Sequence, residues 1–414
     1  MQVDVLVYAD WQPLPKPMLM GVLSSQTIRQ KEHFSFEYDP QWLKSSYAQS
    51  IDPDLALYSG MQHARQSNNF GVFLDSCPDR WGRLLLNRRE AIKAKKSQES
   101  QERPRKLGEM DYLLGVHDLH RMGGLRFKLD PQGPFLDDDP SHSAPPIAAL
   151  DELQRAAVHA EADGDLSVAT NEWLRLLLAP GSSLGGARPK ASVLDTKGGL
   201  WIAKFPSRFD EIDVAAWEFV VHQLALKAGV TMPTCQLIKV SGRHRTFLSK
   251  RFDRLKKHRL HFSSAMTQLG YRDGEDQASY LELAEFLTQQ GGSTQDDLVQ
   301  LWRRIVFSIA VSNADDHLRN HGFLLSPEGW RLSPAYDLNP VPTAESLHLN
   351  ISDTEGTLNF DLAMDVIDFF QLRKNDAEKI RNHVVASVTD WPAVAKSVGI
   401  SRAEQQRMAP AFRV

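Results

Sequence analysis

The chain has 414 residues, 42% of them hydrophobic and 24% charged, and its formal net charge is −4. The length predicts two or three domains, and the charge excludes a chain that binds polyanions over its whole surface. Two cysteines, Cys77 and Cys235, exclude a disulfide framework and favour a reducing cytoplasm. The opening "MQVDVLVYADW" lacks the features of a signal peptide, and no apolar stretch is long enough to span a membrane.

The first 130 residues predict a small β-rich unit. Short strands are expected in "VDVLVYA", "MLMGVLS" and "HFSFEYD", and a helix is expected over 79–96. Residues 88–106 contain eight Lys or Arg and three Glu, which indicates a solvated basic face or a surface for nucleic acid or a partner. The segment 130–146 is rich in Pro and Asp and predicts an exposed loop, so we place a linker at 131–150.

A second unit is predicted over 151–255. After two helices, a Gly-rich turn in "APGSSLGGARPK" leads to strands over 191–194 and 200–205, which "DTKGG" joins as a hairpin. Apolar residues at helical spacing predict a helix that runs from about Val214 to Gly229. Two more strands are expected in "CQLIKVS" and "RTFLSKRF".

The remainder, 256–414, is predicted to be helical. One apolar stripe includes Tyr280 and Leu287, and a second runs from Leu298 to Ile309, with Thr294 expected as the N-cap and Asp297 three residues later. The second helix leads into the polar loop "SNADDHLRNHG", and "HGFLL–SPEG–WRLSPAYD" then predicts a hairpin.

The polar loop has two chemical interpretations. His317 and His321 are four residues apart, as in zinc helices, but the Glu of the metalloprotease template is missing. Asp315 and Asn320 are five residues apart, which is the spacing of the base and the metal-binding amide in kinase catalytic loops. Asp337 follows across the hairpin, where a second metal ligand is expected. The spacing favours phosphoryl transfer.

Residues upstream of this loop support the same interpretation. Lys204 lies on a strand that follows the Gly-rich turn, and Glu218 lies beside the buried stripe of the next helix. A Walker A loop is excluded because Ala187 and Arg188 stand where Lys and Ser or Thr are required. The order of these elements predicts an α+β, bilobed kinase-like fold. A β-rich N-terminal lobe with an extra small β unit would precede an all-α C-terminal lobe.

Each residue taken alone also has a structural interpretation. Lys204 could be a surface residue of an edge strand, and Glu218 could be a solvated helix residue. Asp316 could replace Asp315 as the base or serve as a cap, and Asp315 is preferred on spacing. His317 could brace the loop.

Together these motifs resemble the HipA family of bacterial toxin Ser/Thr kinases. "SSLGGARPKASV" is similar to the Gly-rich loop of that family, "WIAKFPS" to its Lys strand, "AAWEFVVHQLA" to its Glu helix and "LSKRFDR" to its hinge. "NADDHLRN" and "LSPAYDLNP" resemble its catalytic and metal motifs. "FGVFLDSCPDRWGRLLLNRRE" and "MGGLRF" resemble its N-terminal unit, so the resemblance covers nearly the whole chain.

The resemblance implies a protein serine kinase that uses ATP and Mg²⁺ and often acts on an aminoacyl-tRNA synthetase. It also implies a helix-turn-helix antitoxin, through which alone operator DNA is bound, and autophosphorylation at Ser183 or, less favoured, Ser182. Asn320 and Asp337 would hold the metal, and Asp315, Asn320, Lys204 and Glu218 would be catalytic. The implied nucleotide-binding residues are Ser183, Leu184, Gly185, Gly186, Ala187, Lys204, Lys250, Phe252 and His317.

Two alternatives remain open at this stage. Asp315-x-His317-x-x-Asn320 also resembles aminoglycoside and choline kinases, which are small-molecule phosphotransferases but lack the N-terminal β unit. A non-catalytic nucleotide-binding co-repressor is the other alternative. Lys250 departs from the family, whose hinge often carries an acidic residue at this position, and Arg188 and Lys190 add charge that could bind phosphate or face water.

Overall fold

The computed structural model describes residues 2–29, 31–65, 69–96, 105–139, 143–161, 177, 186, 188–272, 274–275 and 277–414. In these residues the strands are β1 (Gln2–Ala9), β2 (Met18–Ile28), β3 (Lys31–Tyr38), β4 (Met61–His63), β5 (Leu125–Lys128), β6 (Lys190–Leu194), β7 (Leu200–Lys204), β8 (Cys235–Ile238), β9 (Thr246–Lys250), β10 (Arg254–Leu255), β11 (His258–Arg259), β12 (Phe262–Ser264), β13 (Gly322–Ser326) and β14 (Gly329–Leu332).

The α-helices are α1 (Pro40–Leu43), α2 (Gly71–Asp75), α3 (Arg80–Lys96), α4 (Glu109–Leu114), α5 (Leu150–Glu161), α6 (Val214–Lys227), α7 (Ala265–Gln268), α8 (Tyr280–Gln290), α9 (Thr294–Val311), α10 (Phe360–Asp365), α11 (Lys374–Thr389), α12 (Trp391–Val398) and α13 (Arg402–Met408). Short 3₁₀ helices cover Asp118–His120, Ile147–Ala149, Leu318–Asn320, Ile367–Phe370 and Ala409–Ala411.

The chain forms two compact units, 1–208 with 253–263 and 209–252 with 264–414. These units do not coincide with the predicted segments. The predicted 151–255 unit is divided near residue 208, and its two parts belong to different compact units. The fold class is α+β, as predicted. The functional domain boundaries remain a prediction.

An antiparallel sheet in the order β4-β3-β2-β1-β5 forms the start of the first unit. The three predicted strands are present, and β1 buries Val5, Val7 and Ala9 on one face because alternate side chains of a strand point the same way. Val7 pairs with Phe127 of β5, whose ring lies 6.2 Å from that of Phe73. This buried aromatic layer fixes the register of the sheet.

The predicted exposed loop at 130–146 is attached to the first unit at both ends. Leu136 forms an isolated antiparallel bridge with Phe127, and Pro146 forms a parallel bridge with Leu194. Most described side chains between these bridges are exposed or half-buried. The segment is therefore a surface loop held by backbone pairing.

The predicted hairpin after the Gly-rich turn is confirmed, as β6 pairs with β7 in antiparallel register from Lys190↔Lys204 to Leu194↔Leu200. In the second unit, β8 and β9 form another antiparallel hairpin. Helix α6 begins after Asp213, whose side chain accepts from Ala216 N, and the chain leaves it at Gly229, where φ is +75°. Glycine suits that turn because it adopts positive φ without a steric penalty.

Helices α8 and α9 bury the two predicted stripes, and Leu298, Trp302 and Ile305 are fully buried. The predicted N-cap is wrong by one residue, because Ser293 stands at the N-cap position of α9, without a capping bond to its side chain, and Thr294 begins the helix. Asp297 does not complete a capping box. Its carboxylate accepts from Arg331 Nε at 2.9 Å and from Leu332 N at 3.1 Å. This carboxylate is therefore bonded to residues distant in sequence and not to the start of its own helix.

The predicted hairpin after the polar loop is confirmed as β13 paired with β14. Because this hairpin lies within 256–414, the predicted all-α C-terminal lobe is corrected to a mainly helical segment with an inserted hairpin.

Among the described residues, no helix is long and apolar enough to cross a membrane.

Candidate active site

The polar loop begins where α9 ends in a left-handed residue. Ser312 has φ +49° and ψ +50°, and this turns the chain out of the helix axis. The next residue, Asn313, is buried, and its Oδ1 accepts from Asn339 N at 2.8 Å. A second bond joins Val341 N to the Ser312 carbonyl at 3.1 Å. The loop is therefore hydrogen-bonded to the segment that follows the hairpin.

Asp315 and Asn320 are brought together by the 3₁₀ turn at Leu318–Asn320. Asp315 is exposed, whereas Asn320 is buried, and Asn320 Nδ2 donates to the main-chain carbonyl of Asp315 at 2.9 Å. Because the amide nitrogen is used in this bond, the amide oxygen is the atom that could bind a metal. The Asp315 carboxylate lies at the surface, where an acceptor hydroxyl could reach it.

Asp316 has the opposite environment. Its carboxylate accepts from Tyr280 Oη and from Ser308 Oγ at 3.4 Å, and its Oδ1 lies 3.0 Å from His321 Nε2. Burial alone would raise its pKa, but His321 and the Tyr280 hydroxyl outweigh burial and lower the pKa of Asp316. Burial and this carboxylate raise the pKa of Tyr280. Asp316 therefore braces the loop from inside and is not accessible as a base.

Asp337 lies in a strained backbone conformation beside the loop. Its φ is +60°, which is uncommon for a residue with a side chain, and its Oδ1 accepts from Asn339 Nδ2 at 3.3 Å. Tyr336 Oη donates to the carbonyl of Arg319 at 2.8 Å, and its ring centroid is 5.6 Å from that of Phe252. Strain that the surroundings maintain is a feature of functional sites.

In the second compact unit, a hydrogen bond thus joins Asp315 to Asn320. Tyr336, the neighbour of Asp337, contacts both the loop and the predicted hinge residue Phe252. His317 is half-buried, and its ring packs edge-on against His348 with centroids 6.0 Å apart. Its Nδ1 has no hydrogen-bond partner within the part of the chain that the structure describes. This nitrogen therefore does not brace the loop.

Glu218 and Lys250 also belong to the second unit. Glu218 is buried on α6, as its place beside the stripe predicted. Burial of the Cys235 thiol, together with the charge of Glu218, raises the pKa of Cys235 to about 12. Lys250 is exposed, and its backbone N–H donates to Thr234.

Lys204 is half-buried at the end of β7 in the first compact unit. Its convergence with the loop residues stays a prediction. Of the predicted Gly-rich loop, Gly186 is described and has φ +98°. The other predicted loop residues lie outside the described residues: Ser182, Ser183, Leu184, Gly185 and Ala187.

The donor types at the loop fit Mg²⁺. Asn320 and Asp337 supply hard oxygen ligands, and Mg²⁺ is commonly held by one or two protein oxygens together with substrate phosphates and water. Across the described ranges, no group of three or more His, Cys, Asp or Glu side chains is arranged to hold a metal ion. A two-ligand site shared with a nucleotide is consistent with both observations.

One protein-family model matches the chain. The family model for the HipA-like C-terminal domain matches residues 182–392, about half of the chain. The chain therefore belongs to the HipA-like family. It also superimposes on HipA of Shewanella oneidensis MR-1, solved with HipB and its operator DNA, with a TM-score of 0.66, 17% identity and coverage of 98% of this chain and 94% of that one. This likeness shows a shared fold.

Two curated relatives carry kinase names. The Sinorhizobium fredii protein "Putative kinase Y4dM" is 31% identical over 177 residues, which are 38% of this chain and 42% of the relative. A Haemophilus influenzae "Putative kinase" is 27% identical over 191 residues, 39% of this chain and 54% of the relative. The chain thus spans about half the length of the curated relatives that it matches.

Sequence reasoning missed the residues that support the site. Asn313 and Asn339 connect the two motif segments, Tyr336 fixes the loop backbone, and Tyr280 holds Asp316. The two asparagines were visible in "SNADD" and "YDLNP", but their bond joins residues 26 positions apart. Sequence spacing alone does not indicate such a bond.

Proposed function

We propose that the chain is an ATP-dependent protein serine/threonine kinase that acts as the toxin of a type II toxin–antitoxin system. The observation that carries the proposal is the exposed Asp315 carboxylate. The backbone at Asp315 is held by a hydrogen bond that Asn320 Nδ2 donates to the main-chain carbonyl of Asp315. This arrangement holds a base and a metal ligand on one short rigid turn. Phosphoryl transfer needs that combination, because its catalysis is mostly positioning and charge stabilisation.

In the proposed reaction, a serine hydroxyl oxygen of the substrate protein attacks the γ-phosphorus of ATP. The bond between that phosphorus and the β–γ bridging oxygen breaks, and ADP leaves with the bond electrons. Asp315 orients the hydroxyl and accepts its proton. The loop backbone stays fixed because Tyr336 and Asn313 hold it.

The remaining predicted residues bind the nucleotide. Asn320 and Asp337 would hold Mg²⁺, which supplies charge neutralisation at the transferring phosphoryl group when bound. Lys204 would bind the α- and β-phosphates and Glu218 would orient Lys204. Backbone N–H groups of the Gly-rich loop at 183–186 would cover the phosphates. Lys250, Phe252 and His317 would line the nucleotide site.

The kinase names of the two curated relatives and the HipA-like family support this proposal. Because the matching HipA structure contains HipB and operator DNA, we also propose a helix-turn-helix antitoxin as the partner, with DNA bound only through it. The proposed substrate is a component of translation such as an aminoacyl-tRNA synthetase, and the proposed compartment is the cytoplasm.

The test is incubation of the purified protein with γ-labelled ATP, Mg²⁺ and a bacterial lysate. Label on a lysate protein, absent with Asp315→Asn, is the expected result, and mass spectrometry of the labelled band would identify the substrate. Label on metabolites alone would favour the small-molecule phosphotransferase. No transfer by a dephosphorylated, metal-replete sample that still binds an antitoxin would favour the co-repressor.

Autophosphorylation is proposed at Ser183. Intact mass after incubation with Mg²⁺-ATP should rise by one phosphate in the wild type and in Ser182→Ala, but not in Ser183→Ala. Modification that persists in Ser183→Ala and is lost in Ser182→Ala would move the assignment to Ser182.

A further inference from the structure

Lys190, the first residue of β6, is held from two sides by the start of helix α3. Its Nζ lies 2.9 Å from Asp79 Oδ2, and the two side chains are only 5% and 3% exposed. Trp81 Nε1 donates to the main-chain carbonyl of Lys190 at 3.0 Å. Both partners come from "PDRWGR", the N-terminal motif to which the proposed reaction gives no role.

Asp79 is itself fixed by the helix that it begins. Its Oδ1 accepts from Gly82 N at 2.8 Å, which is the bond of an N-cap, while Oδ2 faces Lys190. One carboxylate therefore caps α3 and pairs with the lysine. The position of Lys190 is thus tied to a rigid element.

Lys190 also reaches back to the Gly-rich loop. Its Nζ lies 3.4 Å from the carbonyl of Gly186, and a Cβ added at Gly186 would be 3.0 Å from that nitrogen. Gly186 has φ +98°, a conformation that residues with side chains rarely adopt. The lysine and the loop end are therefore packed closely.

The register of the hairpin places Lys190 directly opposite Lys204. Like charges at directly opposite positions of an antiparallel pair repel each other. Asp79 compensates the charge of Lys190. This leaves Lys204, the proposed phosphate-binding residue, beside a neutralised neighbour.

We infer that Asp79 is a positioning residue for nucleotide binding, which acts through Lys190 on the end of the Gly-rich loop and on the charge beside Lys204. This inference rests on the proposed kinase function. A buried ion pair is weak evidence for stability, because desolvation offsets most of the attraction. The ion pair of Asp79 and Lys190 is connected to the Gly-rich loop and to the strand position beside Lys204. These two predicted phosphate-binding elements give the ion pair a specific role.

The test is a double-mutant cycle with Asp79→Asn, Lys190→Met and the double variant. Each single variant should raise the KM for ATP about tenfold while kcat changes by less than about threefold, because an oriented binding element is lost but the base is not. The double variant should be no worse than the more affected single one, since the two residues act as a unit. Additive losses would overturn the inference.

Asp118→Asn is the matched control. Asp118 is also a buried aspartate of the first unit, bonded to Arg126 and Arg259, and it makes no hydrogen bond to the loop among the described contacts. The Asp118→Asn variant should have a lower unfolding temperature than the wild type and an unchanged KM for ATP. An equal rise in KM at equal loss of stability in both variants would make Asp79 merely structural and overturn the inference.

A nucleotide-free measurement separates this inference from the proposed function. Amide hydrogen exchange over 188–194 should be faster in Asp79→Asn than in both the wild type and Asp118→Asn. If exchange there is unchanged, the anchor does not exist, whatever the enzyme does with ATP. If the wild type neither binds nor uses Mg²⁺-ATP, the proposed function fails while the exchange result still decides whether Asp79 anchors the loop.

Discussion

Two adjacent aspartates of the polar loop lie in opposite environments. Asp316 is buried among Tyr280, Ser308 and His321, whereas Asp315 is exposed. A buried carboxylate with these partners fixes the loop, and an exposed one on a fixed backbone is available to a substrate. The structure thus gives a physical reason for the preference that spacing alone had suggested.

Asp315→Asn should abolish most turnover and leave nucleotide binding nearly intact. A general base contributes about 10²- to 10⁴-fold to rate, and Asn keeps the shape of the side chain but cannot take a proton. The measurements are kcat by labelled-phosphate transfer and the Kd for ATP by titration. Asp353→Asn, an exposed aspartate of the same unit, is the control and should match the wild type. A wild-type rate in Asp315→Asn would show that another group is the base.

At the scale of single elements, the sequence pattern predicted the strands, helices and hairpins, because these depend on interactions between residues close in sequence. The alternation in β1 to β3, the 3.6-residue stripes of α8 and α9 and the two hairpins were all visible, because each depends on neighbours in sequence. The pairing of Lys190 with Asp79 joins residues 111 positions apart, and that of Asp297 with Arg331 joins residues 34 apart. Such partners depend on the tertiary fold. The sequence therefore did not decide whether Lys190 binds phosphate or faces water, and it placed Asp297 in a helix cap instead of in a pair with Arg331.

The C-terminal helix α13 holds the start of α6, the helix that carries Glu218. Glu404 Oε1 accepts from Trp217 Nε1 at 2.9 Å and from Asp213 N at 3.0 Å. Glu404→Ala leaves both donors without this acceptor and should reduce the free energy of unfolding by about 1–3 kcal/mol. Denaturant unfolding and hydrogen exchange in α6 are the measurements. Glu378→Ala, a half-buried helical residue of the same unit, should change neither.

Acid should weaken the packing of the 253–263 segment against the turn that follows β1. The His261 ring stacks on Trp11 at 4.6 Å, and burial lowers the pKa of His261 to about 3. The unfolded imidazole binds a proton near pH 6.5, so the contribution of this residue is complete above about pH 6.5 and decreases as the pH falls. The expected slope is about 1.4 kcal/mol per pH unit down to about pH 3.

Denaturant unfolding between pH 7 and pH 4 tests this slope. His261→Phe keeps the aromatic stack and removes the titrating group, so its stability should depend less on pH than that of the wild type. His33→Phe, at an exposed position of β3, should retain the wild-type slope. Parallel pH profiles for the wild type and His261→Phe would contradict the assignment.

At the scale of the whole molecule, the predicted nucleotide ligands are divided between the compact units. Lys204 belongs to the first unit, and Asp337 belongs to the second. The sequence analysis assigned both residues to one Mg²⁺-nucleotide from the order of motifs that a bilobed kinase needs. A measurement on the whole chain can test that assignment, because a ligand that binds only the folded state stabilises it in proportion to its affinity.

Mg²⁺-ATP should therefore raise the unfolding temperature of the wild type. At a concentration of 100 times Kd the stabilisation is about 2.7 kcal/mol. Both Lys204→Met and Asp337→Asn should lose most of it, because each removes a proposed ligand of the nucleotide. Chelation of Mg²⁺ should reduce the shift in the wild type and have little further effect in Asp337→Asn. Lys197→Met, in the exposed turn of the hairpin that carries Lys204, is the control and should show the full shift. A full shift in Lys204→Met together with none in Asp337→Asn would mean that the nucleotide does not bind Lys204, and the assignment of the phosphate-binding lysine would be wrong.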